Sequence, residues 1–158
     1  MEKTGGRAGA VFSGAMKTNA PRIAGVVETA LYVNDLTRAT GFYRDVLGLR
    51  AIGGDGVRFQ AFDSGSAGRV LLLFKRGATL EPTAVTGGVI PPHDGSGPVH
   101  VGFGIAAEAY DAWRERLERG GVKIESEARW ERGGRSMYFR DTDGHLLELI
   151  TPGIWEVY

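Results

Sequence analysis

Polar and apolar positions alternate along two short stretches of the chain, and they alternate in the same way. In residues 27–33, Val27, Thr29, Leu31 and Val33 share one side of an extended chain, with Glu28, Ala30 and Tyr32 on the other. That is the period of a half-buried strand. In residues 99–105, Val99, Val101, Phe103 and Ile105 form the apolar side, and His100, Gly102 and Gly104 look the opposite way, so that His100 stands 72 positions after Glu28. A helical period follows each stretch. The first opens at Asn34-Asp35 as cap, carries Leu36, Ala39, Phe42, Tyr43, Val46 and Leu47, and stops at Gly48. The second runs from about 108 to 119 with Tyr110, Trp113 and Leu117 on one stripe, and Gly120-Gly121 ends it. Strands are predicted behind the first helix at 49–53, 57–63 and 69–75. Behind the second they are predicted at 122–127 and 128–132, with two more inside 135–151 around the turn Asp141-Thr142-Asp143-Gly144.

The chain is therefore written twice, each half reading strand, helix, then strands. Setting Arg69 to Gly77 over His145 to Gly153 places Leu72 opposite Glu148. The repeat thus offers four equivalent places, one on the first and one on the last strand of each half, and they hold Glu28, Leu72, His100 and Glu148. The organisation expected is an arm over 1–22, a first module over 23–77, a linker over 78–98 rich in Gly, Pro and Thr, a second module over 99–153, and a tail over 154–158. The apolar tail, Ile154-Trp155-Glu156-Val157-Tyr158, is expected to pack on the body or on a second subunit.

Composition narrows the chemistry. At 158 residues the chain is sized for one compact unit. Nineteen basic and nineteen acidic residues give a formal net charge of zero, which argues against nucleic acid or an anionic membrane as partner. No apolar run is long enough for a membrane span, and a soluble cytoplasmic protein is expected. With no cysteine, thiolate sites and disulfides are out, and His, Asp and Glu remain as the strong ligands. One imidazole and two carboxylates, from Glu28, His100 and Glu148, suit one divalent ion such as Zn, Mn, Fe, Ni or Mg, and leave positions open for water or substrate oxygens. Taken singly, Glu28 reads as a solvent-facing residue and His100 as an ordinary sheet histidine. Glu148 interrupts Leu146-Leu147-Leu149-Ile150, and a carboxylate there needs a partner.

The stretch from Glu28 to Leu36 followed by Gly41-Phe-Tyr-Arg-Asp-Val-Leu-Gly-Leu, with the closing Tyr138-Phe-Arg-Asp-Thr-Asp-Gly-His-Leu-Leu-Glu-Leu, resembles the vicinal-oxygen-chelate superfamily. Glyoxalase I, fosfomycin-resistance transferases, extradiol dioxygenases and bleomycin-resistance proteins belong to it. The resemblance implies an α+β fold of two βαβββ modules, their sheets curled around a metal-binding cleft with helices outside. It makes Glu28 the first metal ligand, His100 the third and Glu148 the last. It also implies a homodimer and a small-molecule substrate. Three positions depart from the pattern. Glu28 replaces the commoner His, Leu72 stands where glyoxalase I supplies a second carboxylate that handles the substrate proton, and Thr142 replaces a Pro.

Other residues bear on catalysis. His93, in a loop before the His100 strand, can carry a proton or be an exposed loop histidine. Tyr138 can donate to a metal-bound oxygen or simply pack. Glu148 doubles as a candidate base, and Tyr32 as a cleft wall. Arg129, Arg132, Arg135 and Arg140 cluster around a hairpin, where a solvated surface is the default reading; they can also draw an anionic substrate or be neutralised by Asp141 and Asp143. The leading expectation is a metal-dependent lyase, isomerase or dioxygenase acting on a substrate that chelates the ion through vicinal oxygens, with standard glyoxalase I chemistry disfavoured by Leu72. The alternative is a binding protein that sequesters a small molecule without chemistry.

Overall fold

The alternation at residues 27–33 folds as the edge strand Glu28–Val33 (β1), which runs beside Val70–Lys75 (β4) in parallel. In this computed structural model, which describes residues 21–65 and 68–158, Phe59–Asp63 (β3) and Arg50–Gly54 (β2) continue the sheet in the order β1-β4-β3-β2. The second half repeats the plan. His100–Gly104 (β7), Leu146–Ile150 (β10), Arg135–Arg140 (β9) and Ile124–Arg129 (β8) form a sheet in the order β7-β10-β9-β8. One strand over 124–129 stands where two were expected from 122 to 132. Trp130 starts a turn instead, its amide donating to the Gly134 carbonyl at 2.9 Å. The first twenty residues of the expected arm lie outside the described residues.

The two helices pack against the apolar faces of the sheets in one shared cluster. Asp35 caps the first, Leu36–Gly41 (α1), by accepting from the Arg38 amide at 2.9 Å. The helix then widens into a π-helical turn over Phe42–Val46, where the Leu47 amide reaches the Phe42 carbonyl, and Gly48 ends it at φ +72°. The second, Tyr110–Arg119 (α2), follows a short 3₁₀ turn at Ala107–Ala109. Neither helix is long and apolar enough to cross a membrane.

Leu31, Val33, Leu71 and Leu73 from the first sheet and Met137, Phe139, Leu147 and Leu149 from the second meet Tyr43, Tyr110 and Leu117 from the helices in one continuous core. Each such leucine contributes roughly 1.5–3 kcal/mol on burial. Arg116 of α2 ties the helices by donating to the Val46 and Asp45 carbonyls, at 2.6 and 3.0 Å. The expected linker carries a small hairpin, Thr83–Val85 (β5) with Gly88–Ile90 (β6), turning at Gly87 with φ +88°. Its β-branched residues on either side of Thr86-Gly87 were the signal for it.

Candidate metal centre

Strand alternation decides which side chains share a surface, and the ladder of β7, β10 and β9 sets His100 beside Leu146, Gly102 beside Glu148, and Tyr138 across from Glu148. These lie on the face opposite the core. Glu148 is only 5% exposed, so its carboxylate must find a partner. It finds His100, whose Nε2 is 3.1 Å from Oε2. Bare backbone at Gly102 leaves the room: a Cβ there would come within 2.6 Å of Ile150 Cδ1 and 3.7 Å of Glu148 Oε2.

The other ring nitrogen settles what this pair can do. His100 Nδ1 is 3.0 Å from the Leu146 carbonyl, which can only accept, so Nδ1 carries the proton. Nε2 is then left facing a carboxylate oxygen. A nitrogen and a carboxylate oxygen 3.1 Å apart can share a proton or hold a metal ion. Tyr138 stands next to the pair, its ring 6.3 Å from the His100 ring. Burial and the Glu148 carboxylate beside it raise its pKa above the usual phenol value, keeping it a neutral donor.

The first sheet repeats this geometry without its chemistry. Glu28 pairs with Val70 as His100 pairs with Leu146, and Leu72 sits opposite Ala30 as Glu148 sits opposite Gly102. The four equivalent places therefore stand as the sequence repeat set them. Beyond Leu72 the surface is aromatic, with Phe74 stacked on Tyr32 at 5.8 Å and on Phe59 at 5.7 Å. The Tyr32 hydroxyl meets His93 Nδ1 at 2.6 Å, and burial together with Asp94 raises its pKa, so the phenol is the donor. His93 is held there through its backbone by Thr79. Its loop crosses flat over the tyrosine, since a Cβ on Gly95 would fall 2.6 Å from the ring.

His100, Glu148 and Tyr138 thus come together in the second sheet, and Tyr32 with His93 in the first. Glu28 is exposed at the start of β1, and among the described residues no three His, Asp or Glu side chains are placed to hold one ion. Two of the arginines are engaged by neighbours rather than gathered around an anion site. Arg135 lies over the Tyr110 ring at 3.6 Å and 3.7 Å from Asp111, while Arg140 reaches Glu125 at 3.3 Å and the Gly144 carbonyl at 3.1 Å. Asp141, a possible counter-charge for them on sequence, is instead buried against Tyr43 and His145. That cluster escaped the sequence reading, although an Asp and a His four apart, just ahead of an apolar strand, were its visible trace.

Residues 25–149 match the family model described as the Glyoxalase/Bleomycin resistance protein/Dioxygenase superfamily. The fosfomycin resistance protein FosX of Listeria monocytogenes serovar 1/2a is 34% identical over 132 residues, spanning 80% of this chain and 89% of that protein. Among solved structures, a lactoylglutathione lyase from Agrobacterium tumefaciens superposes with a TM-score of 0.76 at 31% identity, covering 86% of this chain and 99% of that one. A variant of Listeria monocytogenes FosX, crystallised with Mn(II) and 1S,2S-dihydroxypropylphosphonic acid, superposes at 0.59 with 29% identity, over 81% and 90% of the two chains. With the repeated βαβββ plan and a family match that runs from before β1 to within β10, this chain belongs to the glyoxalase/bleomycin resistance/dioxygenase superfamily.

Proposed function

We propose that this protein is a divalent-metal-dependent enzyme acting on a small substrate that offers the ion two neighbouring oxygens, with Glu28, His100 and Glu148 as ligands. The observation that carries it is the His100–Glu148 pair, an imidazole nitrogen and a nearly buried carboxylate 3.1 Å apart. The donor set fits a borderline or hard divalent ion, and such an ion supplies Lewis-acid stabilisation of a developing oxyanion. Tyr138 holds a proton at its phenolic oxygen beside the site and can donate it to a substrate oxygen. His93, paired with Tyr32, is the candidate proton carrier on the other module's surface.

Glu28 reaches the site from a second copy. That arrangement accounts for the absence of a third ligand beside the pair among the described residues of one chain, and for Val26, Val27 and Val99 standing exposed around the two candidate strands. The FosX complex supports a vicinal-oxygen substrate, since its ligand carries hydroxyls on adjacent carbons and was bound with Mn(II). Leu72 weighs against the lactoylglutathione lyase reaction.

The first test measures Mn(II) and Zn(II) bound per chain by the purified protein and by the double variant His100→Ala/Glu148→Ala. Wild type holding about one ion per site and the variant none supports the reading; equal content sinks it. Fosfomycin turnover, with and without glutathione, then separates an enzyme from a protein that only sequesters its ligand.

A further inference from the structure

Residues 153–158 fold back over the end of the second sheet. The turn at 130–134, the end of β10 and the end of β7 all lie at this end, because β9 runs antiparallel to β10 and β7 parallel to it. Gly153 seats the segment against the turn. A Cβ on Gly153 would fall 2.8 Å from the Arg132 carbonyl oxygen, and one on Gly134 would fall 2.8 Å from Ile154 Cγ1. The segment closes on itself: the Gly153 and Trp155 amides donate to the Tyr158 carbonyl at 3.0 and 3.2 Å, and the Tyr158 amide donates to the Trp155 carbonyl at 3.2 Å. Its far side is held by the Tyr158 hydroxyl, which donates to the Ile150 carbonyl at 3.2 Å.

Alternation in β7 puts that tyrosine on the face of His100 and Glu148. Residues two apart in a strand point the same way, so Gly102 and Gly104 leave a bare strip beyond His100. A Cβ on Gly102 would meet Ile150 and Glu148, and one on Gly104 would meet Tyr158, with the ring's Cζ at 2.9 Å. Glycine at 104 is what lets the ring lie so close to the backbone. Along β7 from His100, the surface is therefore roofed first by Ile150 and then by Tyr158. Gly102, beside Glu148 in the ladder, and Gly104 are roughly 7 Å apart. A ligand held at His100 and Glu148 that extends this way meets the phenol ring within a few bonds. Little buried area holds the segment down, since Tyr158 is 41% exposed, Trp155 66% and Val157 94%.

We infer that Tyr158 is a specificity-determining residue: seated over Gly104 by residues 153–158, it is the end wall of the His100–Glu148 site and limits the length of the substrate. The inference rests on the metal reading for the ligand's anchor, while the wall stands on packing alone. The substrate class it selects is a compact one, whose two chelating oxygens carry no long chain toward the end of β7.

The probes are acetohydroxamate and octanohydroxamate, which present the same two oxygens with a short or a long alkyl chain. In calorimetric titrations of Mn(II)-loaded full-length protein, the octanohydroxamate-to-acetohydroxamate affinity ratio is expected to rise about tenfold in Tyr158→Ala, as burial of roughly two more methylenes would give. Val157→Ala, which alters the same segment at a side chain in solvent, is expected to keep the wild-type ratio. Nuclear Overhauser contacts between the Tyr158 ring and the Gly104 α-protons are expected in metal-free wild type. Absence of those contacts overturns the wall, as does an equal ratio in wild type and Tyr158→Ala, or an equal rise in Val157→Ala. If wild type takes up no Mn(II), the metal reading fails, while the Overhauser contacts and the long-to-short ratio at the Gly102 and Gly104 amides of metal-free protein still decide the wall.

Discussion

The two modules share strand order and register yet differ in what their outward faces hold. In the second, three neighbouring polar side chains, His100, Tyr138 and Glu148, surround a bare Gly102. In the first, the matching places carry an exposed Glu28, then Ala30 and Leu72, and then a wall of Tyr32, Phe74 and Phe59. Topology gives each strand position an address, and the side chain at that address decides whether it binds an ion or an apolar surface. On the proposed reading, one half holds the ion. On the same reading, the other contributes a single ligand and an apolar platform beside it.

The largest expected effect comes from erasing the polar half. Glu148→Ala leaves the His100 ring without its partner, and metal affinity should fall by more than the roughly 10- to 100-fold that an outer partner costs, measured by Mn(II) titration. Asp141→Ala strips the acceptor from Tyr43, His145 and two amides at once. It should cost about 3 kcal/mol or more in urea unfolding, because buried donors are left unpaired. Making the halves alike is the sharper test. Leu72→Glu places a carboxylate where the second module has Glu148, and if the two faces meet around one ion, binding should tighten; if affinity is unchanged, they do not meet there. Gly102→Ala should cost about 1 kcal/mol in urea unfolding, since Ile150 must move, while Glu148 is met only at ordinary contact distance and metal binding should change little.

The smallest effect is alkaline. Tyr43 has a raised pKa, and Tyr110 is pushed up to about 12 by burial and by its hydrogen bond to Glu127. A phenol whose folded pKa lies above its unfolded value gives stability that is complete below pH 10 and is lost as pH climbs toward the folded value. Thermal melts should therefore be flat in this respect up to about pH 10 and fall above it. Tyr43→Phe should reduce that slope.

The fold was legible because period-two alternation at residues 27–33 and 99–105, followed by capped helical stretches, leaves few arrangements for a repeated unit. The offset between Glu28 and His100, and that between Leu72 and Glu148, came from sequence and reappear as strand register. Contacts set by tertiary packing did not show. Arg135 and Arg140 looked like a cluster along the chain, but a strand sends alternate residues to opposite faces, and only the fold reveals that Tyr110 and Glu125 receive them. Asp141 read as a turn former, and its partner Tyr43 is 98 positions away in the chain, beyond any local signal. The hairpin at 83–90 was masked by a Gly- and Pro-rich setting that reads as linker.

The core has a consequence for how the molecule comes apart. Both helices and the inner faces of both sheets belong to a single apolar cluster, so neither repeat keeps a finished interior when the other is removed. Duplication of the pattern did not produce two folding units. Unfolding should follow one cooperative transition by every probe, and a polypeptide cut within residues 83–90 should retain structure only while its two fragments stay associated.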